Sequence, residues 1–178
     1  MLENFEINLK AIELDDIDFS YSLDDTFFTD IEAQDIMGGH VNANVHVKRN
    51  AASFELRLTI NGNVTIQCDR CLDDMNQPVE AESILKVKFG SSYVDDGDDL
   101  IIVPEDDGKI NVAWFLYEII ALSIPIQHTH VPGECNEEMM KILKEHSGHN
   151  IGDDSDVTAS DNEVDPRWND LKKLLNNN

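Results

Sequence analysis

The stretch Phe54-Glu55-Leu56-Arg57-Leu58-Thr59-Ile60-Asn61-Gly62-Asn63-Val64-Thr65-Ile66-Gln67-Cys68-Asp69-Arg70-Cys71 decides the reading of the fold. Apolar residues occupy alternate positions, first Phe54, Leu56, Leu58 and Ile60, then Val64, Ile66 and Cys68. Such alternation lets a strand bury one face and wet the other. Asn61-Gly62-Asn63 between the two runs is a hairpin cue, so the pattern predicts two antiparallel strands joined there. The second ends at a bend carrying Cys68 and Cys71. Two thiolates three positions apart on a tight turn can both face one tetrahedral metal.

The same period extends outward. Val41, Ala43, Val45 and Val47 precede the stretch, and Val79, Ala81, Ser83, Leu85, Val87 and Phe89 follow it. Together the runs predict an antiparallel meander with one buried face. Phe5, Ile7 and Leu9 suggest an opening strand. Residues 15–28 are irregular, with Phe27 and Phe28 as core anchors, and a short helix is expected over 31–37 before Gly38-Gly39 breaks the chain. In the acidic stretch 91–108, Leu100 to Val103 form a candidate strand. The acids do not follow the calcium-loop spacing and read as a solvated loop.

A helix over 112–123, capped by Asn111 and stopped by Pro125, carries Trp114, Leu116, Tyr117, Ile119, Ile120 and Leu122 and would cover the sheet. A second helix over 136–145 holds Met139 and Met140, read as core packing. The expected fold is therefore α+β: an antiparallel meander covered by one main helix, with additional short helices. Residues 1–147 form that domain and 148–164 an acidic flexible linker. Residues 165–178 form an amphipathic helix opened by Asp165 and Pro166, with Trp168, Leu171, Leu174 and Leu175 on one stripe. Arg167, Trp168 and Leu171 are the candidate partner-binding residues, whether the helix docks on its own domain or on another protein.

The chain has 178 residues, 41% of them hydrophobic, enough for one domain with a core. Thirteen basic against 36 acidic residues give a net charge of −23. That field repels a phosphate backbone and suits a basic partner or plain solubility. The sequence has no membrane-length apolar run and no secretory leader pattern. Three cysteines, an odd number, argue against a disulfide framework and for the cytoplasm.

The third cysteine lies in Ile126-Gln127-His128-Thr129-His130-Val131-Pro132-Gly133-Glu134-Cys135. Cys68, Cys71, His130 and Cys135 would make a closed set of three thiolates and one imidazole, the donor set of a structural Zn2+ site, with His128 as rival fourth ligand. The bland alternative is three reduced packing cysteines and a surface histidine. No phosphate-binding glycine loop or metalloprotease His-Glu-x-x-His pair occurs. A thioredoxin-like role would place the cysteine pair at a helix start after a parallel strand. A Cys-His nucleophile is the weakest reading, and no enzyme or small-molecule substrate is expected.

Cys68-Asp69-Arg70-Cys71-Leu72 after a hairpin, the run Ile119 to Pro125, the His/Cys segment ending at Cys135, and Asp165-Pro166-Arg167-Trp168 with Leu171 to Leu174 resemble the bacterial YceD family. The resemblance implies a small cytoplasmic, non-enzymatic accessory factor for large ribosomal subunit assembly and the accumulation of large-subunit ribosomal RNA. It also favours His130 over His128 as ligand, the matching position being Cys or His. Other members carry further cysteines where this chain has Asn136 and Met139, which leaves four ligands as the minimum. Arg49, Arg57, Arg70, Lys86, Lys88 and Arg167 are too scattered among acids to predict an RNA face, so a basic ribosomal protein is the expected partner. The alternative is a zinc-stabilised structural or redox-sensing interaction module unrelated to ribosomes.

Overall fold

The computed structural model describes residues 2–13, 16–95, 97 and 100–147. Residues 148–164, expected as a linker, and 165–178, expected as a helix carrying Arg167, Trp168 and Leu171, lie outside the described residues. The chain divides into two compact units, residues 1–140 and 141–178.

Among the described residues the fold is α+β, with a mixed, mostly antiparallel sheet and three α-helices. Strands β2 (Asp16–Leu23), β3 (Gly38–Arg49), β4 (Phe54–Gln67), β5 (Asp74–Gly90), β6 (Val94–Asp95) and β7 (Leu100–Pro104) form a six-stranded sheet ordered β2-β3-β4-β5-β7-β6. β1 (Glu6–Asn8) pairs antiparallel with β8 (Lys109–Asn111) in a separate two-stranded sheet. Helices α1 (Asp25–Asp30), α2 (Ala113–Ser123) and α3 (Glu137–His146) complete the described elements.

The expected hairpin at Asn61-Gly62-Asn63 does not exist. β4 runs straight through it, and Asn61, Gly62 and Asn63 pair with Asn42, Val41 and His40 on one side and with Glu80, Val79 and Pro78 on the other. The alternation already carried this answer, since Ile60 and Val64 stand four apart and keep the same parity, as one strand requires. Gly62 serves close approach instead. A Cβ there would overlap the His40 carbonyl oxygen and sit 2.6 Å from Val41 Cα, so β3 admits only hydrogen at that point.

Other expectations shift for local reasons. The short helix falls at Asp25–Asp30 rather than 31–37, because the Asp24 carboxylate accepts from the Thr26 and Phe27 N–H groups and starts it earlier. Phe27 and Phe28 are buried, as expected of anchors. The opening strand is cut to Glu6–Asn8 because the Asn8 side chain caps a following 3-10 turn. β7 pairs parallel with β5, so the sheet is not a pure meander. Asn111 does not hold the cap position of α2, which Val112 takes without a side-chain bond, but its Oδ1 accepts from Ala113 N at 2.9 Å. Met139 and Met140 are half-buried and no residue of α3 is buried, so that helix adds nothing to the core.

The core is the inward face of β3, β4 and β5, with Val41, Val45, Val47, Leu56, Leu58, Val64 and Val87 excluded from solvent. Leu116 and Ile120 of α2 pack onto it over β4 and β5. Fully burying side chains of this kind contributes about 1.5–3 kcal/mol each. β4 and β5 stay paired to Gln67 and Asp74, which puts the Cys68–Asp73 bend at the end of the two longest strands. The segment after α2 returns to that bend.

Candidate metal centre

The bend is held by its own backbone. Cys68 N donates to the Asp73 carbonyl and Leu72 N to the Cys68 carbonyl, both at 2.9 Å. Leu72 closes the turn in the left-handed region, φ 63°, which a leucine adopts only where the surroundings impose it. Inside the turn, Arg70 N donates to Cys68 Sγ at 3.4 Å.

The segment after α2 docks on the bend through Asp69. His128 N donates to Asp69 Oδ2 at 2.7 Å, and Asp69 N donates back to the His128 carbonyl at 2.9 Å. This reciprocal clamp fixes the chain two residues before His130. The His128 ring is spent locally, with Nδ1 3.0 Å from the Pro125 carbonyl oxygen and Nε2 3.5 Å from Asp69 Oδ1. His128, the rival ligand, faces the clamp. Asn136 adds a second strap, its Nδ2 donating to Asp73 Oδ2 at 3.0 Å.

His130 is the residue delivered. Its Nδ1 lies 3.3 Å from Cys71 Sγ, and its backbone N–H points at Cys68 Sγ at 3.5 Å. Cys135 completes the group, and the four ligand atoms of Cys68, Cys71, His130 and Cys135 all lie within 4.8 Å of one another. The His130 Nε2 sits 3.3 Å from the Asp74 carbonyl oxygen. A proton on Nε2 donated there leaves the Nδ1 lone pair facing the sulfurs, the outer-shell arrangement that fixes a ligating histidine.

Electrostatics agree with a cation site. Burial raises the Cys68 thiol, but N–H groups of Cys71, His130 and Arg70, with the Cys71 side chain, outweigh it and bring Cys68 from 9.0 down to about 6. The Cys68 sulfur beside the ring raises His130, with Cys71 adding to it against desolvation. Cys135 is raised, by burial first and then by the neighbouring sulfurs. Three sulfurs compete for two positive influences, a backbone nest and one ring.

A tetrahedron with zinc–sulfur bonds of about 2.3 Å has edges of about 3.8 Å, which this set reaches by closing about 1 Å at most. The residues present therefore fit a tetrahedral metal. With four protein donors no position remains for water or substrate, as in structural rather than catalytic sites.

A family model described as "Large ribosomal RNA subunit accumulation protein YceD" matches residues 56–175, a span holding all four donors and the Asp165-Pro166-Arg167-Trp168 motif. The chain belongs to the YceD family. It is also 32% identical over 136 residues to "Uncharacterized protein YlbN" of Bacillus subtilis (strain 168), covering 76% of this chain and 73% of that protein. No solved structure matches. Among the described residues no helix is long and apolar enough to cross a membrane.

Sequence reasoning named the four residues that the fold brings together and missed their supports. Asp69, the Asp74 carbonyl and the Asp73–Asn136 strap carry no sequence signal, because each acts through a contact between segments about sixty positions apart.

Proposed function

We propose that this YceD-family chain is a non-enzymatic, cytoplasmic accessory factor in the accumulation of large-subunit ribosomal RNA, acting through a basic ribosomal protein. The family match over residues 56–175 carries the reading, and the family's name supplies the link to large-subunit RNA. The net charge of −23 supports a basic protein partner over naked RNA. Cys68, Cys71, His130 and Cys135 would hold one structural Zn2+, which would tie the segment after α2 to the end of β4 and β5. Arg167, Trp168 and Leu171 remain part of the proposed partner-binding surface.

The test is complementation in Bacillus subtilis lacking YlbN. The expected result is a lowered ratio of large- to small-subunit ribosomal RNA in the deleted strain, restored by this chain. An unchanged ratio on deletion, or no restoration by a well-expressed chain, overturns the reading.

A second reading, a redox-responsive metal module, is favoured by three thiols gathered within 4.8 Å. Oxidation at that spacing would link two of them and dismantle the site. Mild peroxide treatment followed by mass analysis separates the two readings: a reversible internal disulfide formed before other residues oxidise supports this one.

A further inference from the structure

β5 offers a backbone edge whose neighbours select a partner. From Asp74 to Val87 it pairs with β4 on one side, whereas β7 covers the other side only from Lys86 to Gly90. Among the described residues, 79–85 have no strand on that second side. Seven residues of strand span about 23 Å. Unpaired strand edges are templates for an added strand, and proteins ordinarily blunt them. Pro78 limits this one at its start.

Beside the edge, where β7 begins, lies a cleft of about 300 Å³ between β5 and α2. Leu85, Phe115, Ile119 and Leu122 line it together with Asp95 and Glu118. Leu122 is 79% exposed, an unusual cost for a helix residue beside an open cleft. On the opposite face of the sheet the same edge carries Glu80 and Glu82, both exposed. Glu82 is paired with Arg57 at 2.6 Å, while among the described residues no ion pair engages Glu80, Asp95 or Glu118.

We infer that the 79–85 edge of β5, with the adjoining cleft, is a site for strand addition by an extended basic segment of a partner protein. An added strand sends alternate side chains to the two sheet faces. Apolar side chains on the α2 side enter the cleft, with cations near Asp95 and Glu118. Lysines or arginines on the other side lie beside Glu80. A second copy of this chain is excluded by the same charges, since edge-to-edge pairing would set glutamates against glutamates. The inference deepens the ribosomal reading, on which it rests, by assigning a surface to the basic partner.

The probe is a fluorescein-labelled twelve-residue peptide alternating Lys and Val, titrated with the full chain by fluorescence anisotropy. The expected result is saturable binding that weakens with added salt, at least tenfold weaker for Glu80→Lys/Glu118→Lys and for Leu122→Ser. These substitutions lie on the surface, and unchanged thermal melts would show that the variants fold. Hydrogen exchange with the peptide bound should slow at residues 79–85. No saturable binding, equal binding of a Glu-Val peptide, or equal binding by the folded variants overturns the inference. Capture of large-subunit ribosomal proteins on the immobilised chain is scored in parallel. Capture without peptide binding sinks the edge site alone; peptide binding without capture sinks the ribosomal partner alone.

Discussion

The β3–β5 sheet and the cysteine centre are both organised regions, but different forces organise them. In the sheet, Val41, Val45, Leu56 and Leu58 are buried against one another, and every ladder bond joins strands adjacent in sequence. At the centre the apolar residues face outward: Leu72 is 60% exposed, Val131 58%, and Ile126 entirely so. What joins its two segments is the Asp69–His128 clamp, the Asp73–Asn136 strap and four donor atoms. Burial stabilises a sheet whatever ions are in solution, whereas a centre whose Cys68 and Cys71 are buried but whose His130 and Cys135 are half-exposed depends on what those groups bind. The sheet should therefore outlast the centre.

Removing the metal is the widest way to separate the two regions. Protein purified without chelator should carry about one zinc per chain, and Cys68→Ser should carry none. The variant should show fast amide exchange over 125–135 while β3 and β4 stay protected, because metal free energy of order 10 kcal/mol is focused on those loops. Equal protection in both regions without metal would abolish the contrast.

Leu56→Ala tests it from the other side. It should cost about 2–5 kcal/mol of global stability, measured by denaturant unfolding, while zinc content stays at one per chain. Gly62→Ala should cost about 1–3 kcal/mol, because the new methyl meets the His40 carbonyl and Val41 Cα. A neutral result would restore a flexible connection at that point.

At the centre, Asp69→Ala should weaken zinc about 10–100-fold in a chelator competition, the usual effect of losing an outer support. His130→Ala should abolish binding, and His128→Ala should not. Without metal, pH gives the smallest effect. Cys68 stands at about 6 against an ordinary 9.0, so its stabilising contribution is present at high pH and lost as pH falls from about 9 to about 6. His130 is raised, so its contribution is complete below 6.5 and fades as pH rises through its folded value. Melting temperature against pH in metal-free protein reads the balance.

Much of the fold was legible as period-two alternation, which survives even where turn chemistry misleads. Asn61-Gly62-Asn63 reads as a hairpin to local rules, yet the unbroken parity from Phe54 to Ile66 was the stronger signal, because it records which face meets the core. α2 was legible from its apolar run, and α1 was displaced from expectation by one aspartate cap. Met139 and Met140 misread as core, since composition cannot say whether anything faces a helix.

The candidate donors were legible in the sequence alone: with three cysteines in the chain and two histidines beside the third, the candidate set is small. Tertiary structure alone places one of the two histidines, His130, beside the sulfurs. Asp69 and Pro125 occupy His128, and the Asp74 carbonyl orients the ring of His130 toward the sulfurs. The parallel pairing of β7 and the open length of β5 were likewise decided only in three dimensions. Alternation tells a strand which face is buried, but which edges meet depends on where distant segments pack and what they leave uncovered.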